Sequence, residues 1–125
     1  MGQKLLLLGI AGALGTLSRY ALGGIVQRIA GGSFPWGTLA VNGLGCLLFG
    51  LFWACATERF AVGHEVRTVI LVGFLGAFTT FSSFVAEFGQ MALGAEWLRG
   101  AAYVLAQNVL GFASFFVGMA VGRAL

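Results

Sequence analysis

The chain has 125 residues, of which 59% are hydrophobic and 9% charged. Soluble domains carry about 25% charged residues, so a water-covered globule of this size and a disordered chain are both excluded. Twenty-one glycines stand beside a single proline with no G-X-Y period, which excludes collagen and points to closely packed membrane helices. At roughly 20 apolar residues per span, the length admits four spans with short connections and leaves no room for a soluble domain. The apolar runs are continuous, not alternating, which argues against a β-barrel. The expected fold is an all-α membrane protein, one four-helix transmembrane domain over residues 1–125.

In chain order, the first span is expected over residues 5–29. Its only charge is Arg19, well inside. Lys4, the leucine run and Ala11-Gly12-Ala13 imitate a signal peptide, but the apolar stretch continues beyond them. The second span is expected over 36–57 and carries Asn42. The segment 58–67 holds five of the twelve Asp, Glu, Lys, Arg and His residues and reads as a loop in water. The third span, 68–93, has a polar and aromatic middle and carries Glu87. The fourth covers 97–121.

The net charge of +3 comes from seven scattered basic residues. They form no patch for a phosphate backbone, so nucleic-acid binding is not expected. With four spans, the tails and the middle loop share one side, which holds Lys4, Arg59, Arg67 and Arg123. The other side holds Arg28 and Arg99. Four against two is a weak positive-inside bias, compatible with insertion in one orientation or in both. Cys46 and Cys55 lie roughly 13 Å apart along one helix and cannot pair with each other. With His64 in a loop, no zinc or haem spacing exists.

Gly12, Gly15, Arg19 and Gly23 share one helical stripe of the first span. Gln107, Gly111, Ser114, Gly118 and Gly122 share one on the fourth. Small residues allow helix backbones to approach where lipid supplies no hydrophobic drive.

The segment 76–84 reads GAFTTFSSF. Thr79, Thr80, Ser82 and Ser83 give four hydroxyls within five residues, beside Gly76. This density predicts a break in the third helix, tolerated at membrane depth only where it is buried in protein or lines a wet cavity. Such breaks present carbonyls to cations and helix N-termini to anions. Phe78, Phe81, Phe84 and Phe88 surround the break at spacings of three and four, which reads as a lipid-facing or packing stripe or as a set of rings aimed at an ion. The edge of an aromatic ring is positive, so ring edges can meet an anion without a formal charge. Glu87 shares a face with Ser83 and Phe84. Glu87 and Arg19, as deep charges, are functional candidates by default, with a mutual salt bridge as the structural alternative. Asn42 offers two donors, to a path or to a neighbouring helix, and Tyr103 is either an interface anchor like Trp97 or a hydroxyl offered to a pore. No catalytic set appears, and Gly43-Leu44-Gly45 lacks the setting of a nucleotide loop, so an enzyme is not expected.

GALGTLSRY (12–20), PWGTLAVNGLG (35–45) and GAFTTFSSF followed by Glu87 together resemble the small fluoride channels of bacteria and archaea, the Fluc or CrcB-like family. The resemblance spans essentially the whole chain. It implies a passive fluoride channel of the cell membrane: an antiparallel, dual-topology homodimer with two pores. It also implies a central sodium ion, structural and not transported, held by backbone carbonyls of Gly76 and Thr79 from both subunits. By the same resemblance, Phe81 and Phe84 present ring edges to fluoride, and Asn42 is the pore asparagine. Ser82, Ser83, Glu87 and Tyr103 match the polar track, and Arg19 matches the vestibule arginine. The track's fourth-helix serines are replaced by Gln107 and Gly111, so those roles do not carry over. The main rival is a small four-helix multidrug or cation exporter. Such proteins carry an essential glutamate in the first helix, where this chain has Arg19.

Overall fold

The computed structural model describes residues 2–60 and 62–125, with Arg59 described by its backbone alone; the place of the Arg59 side chain in the charge bias lies outside the described residues. Four helices are long and apolar enough to cross a membrane: Gly2–Ala30, Trp36–Glu58, His64–Leu93 and Trp97–Ala124. Among the described residues there is no strand.

Helix α1 spans Gly2–Ala30 and α2 spans Trp36–Ala54, the latter continued by a π-helical turn over Cys55–Arg59. The α1–α2 connection turns on Gly31 and Gly32, whose φ values of 66° and 70° suit glycine, which lacks the Cβ that crowds this region. The polar connection after α2 is shorter than the expected 58–67. The chain is helical again from His64, because Glu65 and Arg67 are carried on the first turn of the next span. That span contains α3 (His64–Thr68), a π-helical stretch (Val69–Leu75), α4 (Gly76–Phe78) and α5 (Phe81–Leu93). Helix α6 runs from Trp97 to Ala124.

Packing follows the small residues. Helix α2 lies along α6 and also touches α1, while α1 lies against Val69–Leu75 and α4. A Cβ at Gly118 would collide with the Leu47 carbonyl, and one at Gly50 with the Phe115 carbonyl. Gly15 meets the Phe74 carbonyl, and Gly37 meets the Gly23 backbone, in the same way. Both glycine stripes are therefore helix seams. A small apolar and aromatic core forms where α5 and α6 meet α2: Leu39, Met91 and Tyr103 are buried, with Phe34, Phe84 and Ala106 against them. The outer faces are apolar and open, with Leu17, Leu98, Leu105 and Phe112 all exposed, as expected of a chain solvated by lipid.

Candidate functional site

The site is built around two residues, Thr79 and Thr80. Their backbones are extended (φ −83°, ψ 158° and φ −147°, ψ 111°), so the helical run stops at Phe78 and resumes at Phe81. Gly76 itself is helical, with φ −63° and ψ −34°; the departure from helix lies three residues further on. Leaving the helix frees backbone groups that must find partners away from water. Asn42 on α2 supplies them. The Thr80 N–H donates to Asn42 Oδ1 at 2.8 Å, and Asn42 Nδ2 donates to the Thr80 carbonyl at 3.1 Å. One side-chain amide thus replaces the lost N–H bond of Thr80 and adds a donor to its carbonyl.

The Thr80 hydroxyl then caps α5. It accepts from the Ser83 N–H at 3.2 Å and donates to Ser83 Oγ at 2.9 Å, with Ser82 Oγ at 3.4 Å. A threonine cap of this kind satisfies an orphan donor of the first turn. The Thr79 hydroxyl bonds back to the Leu75 carbonyl at 3.1 Å, as threonines in membrane helices commonly do. The carbonyls of Gly76 and Thr79 are among those that lose their helical donors in this rearrangement. The Thr80 N–H that would serve Gly76 O goes to Asn42. The Ser83 N–H that would serve Thr79 O goes to Thr80 Oγ1.

From Asn42 a chain of polar contacts runs across α6 to α5. Asn42 Nδ2 donates to Gln107 Oε1 at 3.2 Å, Gln107 Nε2 donates to the Tyr103 hydroxyl at 2.9 Å, and Tyr103 donates to Glu87 Oε2 at 2.5 Å. Thr38, one helical turn before Asn42, donates to the other Glu87 oxygen at 2.6 Å. Glu87 is therefore held by two hydroxyls. Among the described residues no salt bridge joins it to Arg19; the ion pairs are Arg99–Glu96 and Arg123–Glu58, both at the ends of spans.

The aromatic rings line the same region. Phe81 and Phe84 meet edge-on with centroids 5.6 Å apart, and Phe84 meets Tyr103 edge-on at 5.3 Å. Tyr103 is wholly buried, whereas Phe81 is 75% exposed. A groove lined by Asn42, Cys46, Phe81, Phe84, Gln107 and Gly111 opens on one side of Thr80. On the other side Arg19 lines a pocket with Tyr20, Thr38, Thr80 and Ser83. A third recess reaches Glu87 past Gln27 and Thr38. Thr80 is common to the first two cavities and Thr38 to the last two.

Residues 6–119 match the family model described as CrcB-like protein, Camphor Resistance (CrcB). The chain belongs to the CrcB-like family. A relative from Nitrosococcus oceani is 51% identical over the full length of both chains, and one from Desulforapulum autotrophicum is 47% identical over the same extent. A third, from Nitratidesulfovibrio vulgaris (strain Miyazaki F), is 52% identical over 97% of this chain and 98% of its own. All three are named fluoride-specific ion channel FluC. The CrcB-like chain is accordingly a multi-pass protein of the cell membrane and not an enzyme.

Within this CrcB-like chain, Asn42, Phe81, Phe84, Ser83, Glu87 and Tyr103 fall in one connected region, with Ser82 at its exposed edge and Arg19 in the adjoining pocket. Thr38, Thr80 and Gln27 were not singled out as site residues by sequence reasoning. Thr38 could have been found, since it precedes Asn42 by one helical turn. Gln27 tethers the α1–α2 connection, donating to the Gly32 and Phe34 carbonyls and accepting from the Gly37 N–H; nothing in the local sequence marks that role.

Proposed function

We propose that this chain is a passive fluoride channel that lets cytoplasmic fluoride leave the cell. The observation that carries the reading is the setting of Glu87. Its carboxyl oxygens accept from Thr38 and Tyr103, so hydroxyl donors already converge on an oxygen acceptor within the span, as a path for an anion requires. The edge-on pair Phe81 and Phe84 lies beside this track and adds positive ring edges. Together Asn42, Ser82 and Ser83 can replace the tightly held water of fluoride with N–H and O–H donors, while Tyr103 keeps its hydroxyl proton on Glu87. Arg19, in its pocket beside Thr80, raises the local anion concentration. The names of the relatives point the same way.

The working form we infer is an antiparallel, dual-topology homodimer with two pores. Phe81 is exposed on the single chain, and a second copy would close the open side of its pore. The four-to-two division of basic residues is weak enough for both orientations to insert. The break at Thr79 and Thr80 lies near the bilayer midplane on this reading.

A structural sodium ion fits the same region. The Gly76 and Thr79 carbonyls are among the groups whose helical donors are lost, Gly76 is exposed, and carbonyl oxygens suit a hard cation. When bound, sodium supplies charge that ties the freed carbonyls of two subunits together. The chain's own residues do the rest: Asn42 and Thr80 hold the break open, and Thr38 and Tyr103 hold Glu87 in place.

Electrogenic efflux from liposomes tests this function. Vesicles loaded with fluoride and holding the purified protein are expected to release it only when a potassium ionophore balances charge. Proton-driven uptake of an aromatic cation in place of that release would instead identify a small multidrug exporter.

A further inference from the structure

Gln107 lies at the centre of the polar chain, yet the fluoride-channel reading gives it no part. Hydrogen-bond direction assigns one. A backbone N–H can only donate, so the contact from Thr80 N identifies the facing Asn42 atom as its oxygen. The Asn42 nitrogen then carries two hydrogens. One goes to the Thr80 carbonyl and the other to Gln107 Oε1. Gln107 must therefore turn its nitrogen toward Tyr103, and the single hydroxyl proton of Tyr103 goes to Glu87. Every N–H of Asn42 is taken before any anion arrives, and both amides border the groove that also holds Phe81 and Phe84.

We propose that Gln107 is an internal competitor for the anion: its Oε1 occupies the Asn42 hydrogen that fluoride needs, and fluoride gains that donor only by displacing it. This rests on the fluoride-channel reading. The other partner of Asn42, Thr80 O, belongs to a backbone that the same amide holds from both sides. Gln107 Oε1 sits on a flexible side chain and can swing away. Its remaining bond, to Tyr103, is one the tyrosine oxygen can lose while keeping its own proton on Glu87. Gln107 thus sets how readily the path accepts fluoride, and acts on the ion through Asn42.

The test is the fluoride concentration at half-maximal efflux in liposomes. Gln107→Met keeps the volume and removes the acceptor. Its half-maximal concentration is expected to fall about three- to tenfold, the scale of one net neutral hydrogen bond. Gln107→Asn, which withdraws the oxygen by one methylene, should move it the same way and serves if Gln107→Met does not fold. Gln107→Glu keeps a stronger, charged acceptor and should raise it. A purely structural role would lower the maximal rate and leave the half-maximal concentration in place. Wild-type efflux with an unchanged or higher half-maximal concentration in Gln107→Met or Gln107→Asn overturns this proposal alone. Absence of fluoride efflux from the wild type overturns the channel reading and the proposal with it.

Discussion

Asn42 carries two tasks that cannot be separated by inspection of its position in the sequence. A lone amide inside an apolar helix reads either as a donor aimed into a path or as a bond to a neighbouring helix. In the folded chain it first satisfies the Thr80 backbone, whose N–H and carbonyl both face it. Unmet, one buried polar group of this kind costs about 1–3 kcal/mol. The aromatic residues are simpler to test. Phe81→Ile and Phe84→Ile keep apolar bulk but remove the ring edge. Each is expected to lower fluoride flux at least about tenfold while the protein elutes normally on gel filtration, since an ion meeting an aliphatic surface gains nothing in return for its lost water. Flux equal to wild type in both variants would contradict the ring-edge account. The glutamate stood out as a functional candidate because a deep charge is costly. Its partners did not: nothing in the spacing says that Thr38 and Tyr103, rather than Arg19, would meet it.

At the scale of elements, four apolar runs were enough to read four spans, and their ends were set within a few residues by Gly31-Gly32, by the charged segment after α2 and by Gly94. The main difference lies after α2, where Glu65 and Arg67 ride on a helical turn. Polar composition marks contact with water, and an exposed helix end satisfies that as well as a loop does. Two π-helical stretches, Cys55–Arg59 and Val69–Leu75, had no signal in the pattern, because the first is too short to show a period and one extra residue per turn barely disturbs the uniformly apolar second. The glycine stripes were legible as seams, but not which partner each would meet. Helix α6 crosses α2 so closely that a side chain at Gly118 would enter the Leu47 carbonyl. Gly118→Val is therefore expected to destabilise the protein by about 1–3 kcal/mol, read as a lowered unfolding temperature in detergent. Gly63→Val, with no neighbour near its Cβ position, should leave that temperature unchanged.

For the whole molecule, one chain accounts for a polar track, an aromatic pair and a set of freed carbonyls, and leaves each of them open on one side. Phe81 and Gly76 are exposed, and a second, inverted copy would supply what faces them. The sodium proposal follows from the same openness. Prolonged exchange of sodium for a bulky organic cation is expected to abolish fluoride flux, and readdition of sodium to restore it. Flux that survives complete exchange would count against Gly76 and Thr79 as a cation site. Composition excluded water as the solvent for most of this surface, but a single sequence carries no signal for which exposed apolar residues meet lipid and which meet a partner.

The central claim is that the purified protein conducts fluoride and little else. Planar bilayer recording under opposed fluoride and chloride gradients measures this directly. The account predicts a current that reverses at the equilibrium potential of fluoride and vanishes when fluoride is replaced by chloride. A current that reverses at the chloride or sodium potential, or no current above a protein-free bilayer, would contradict it.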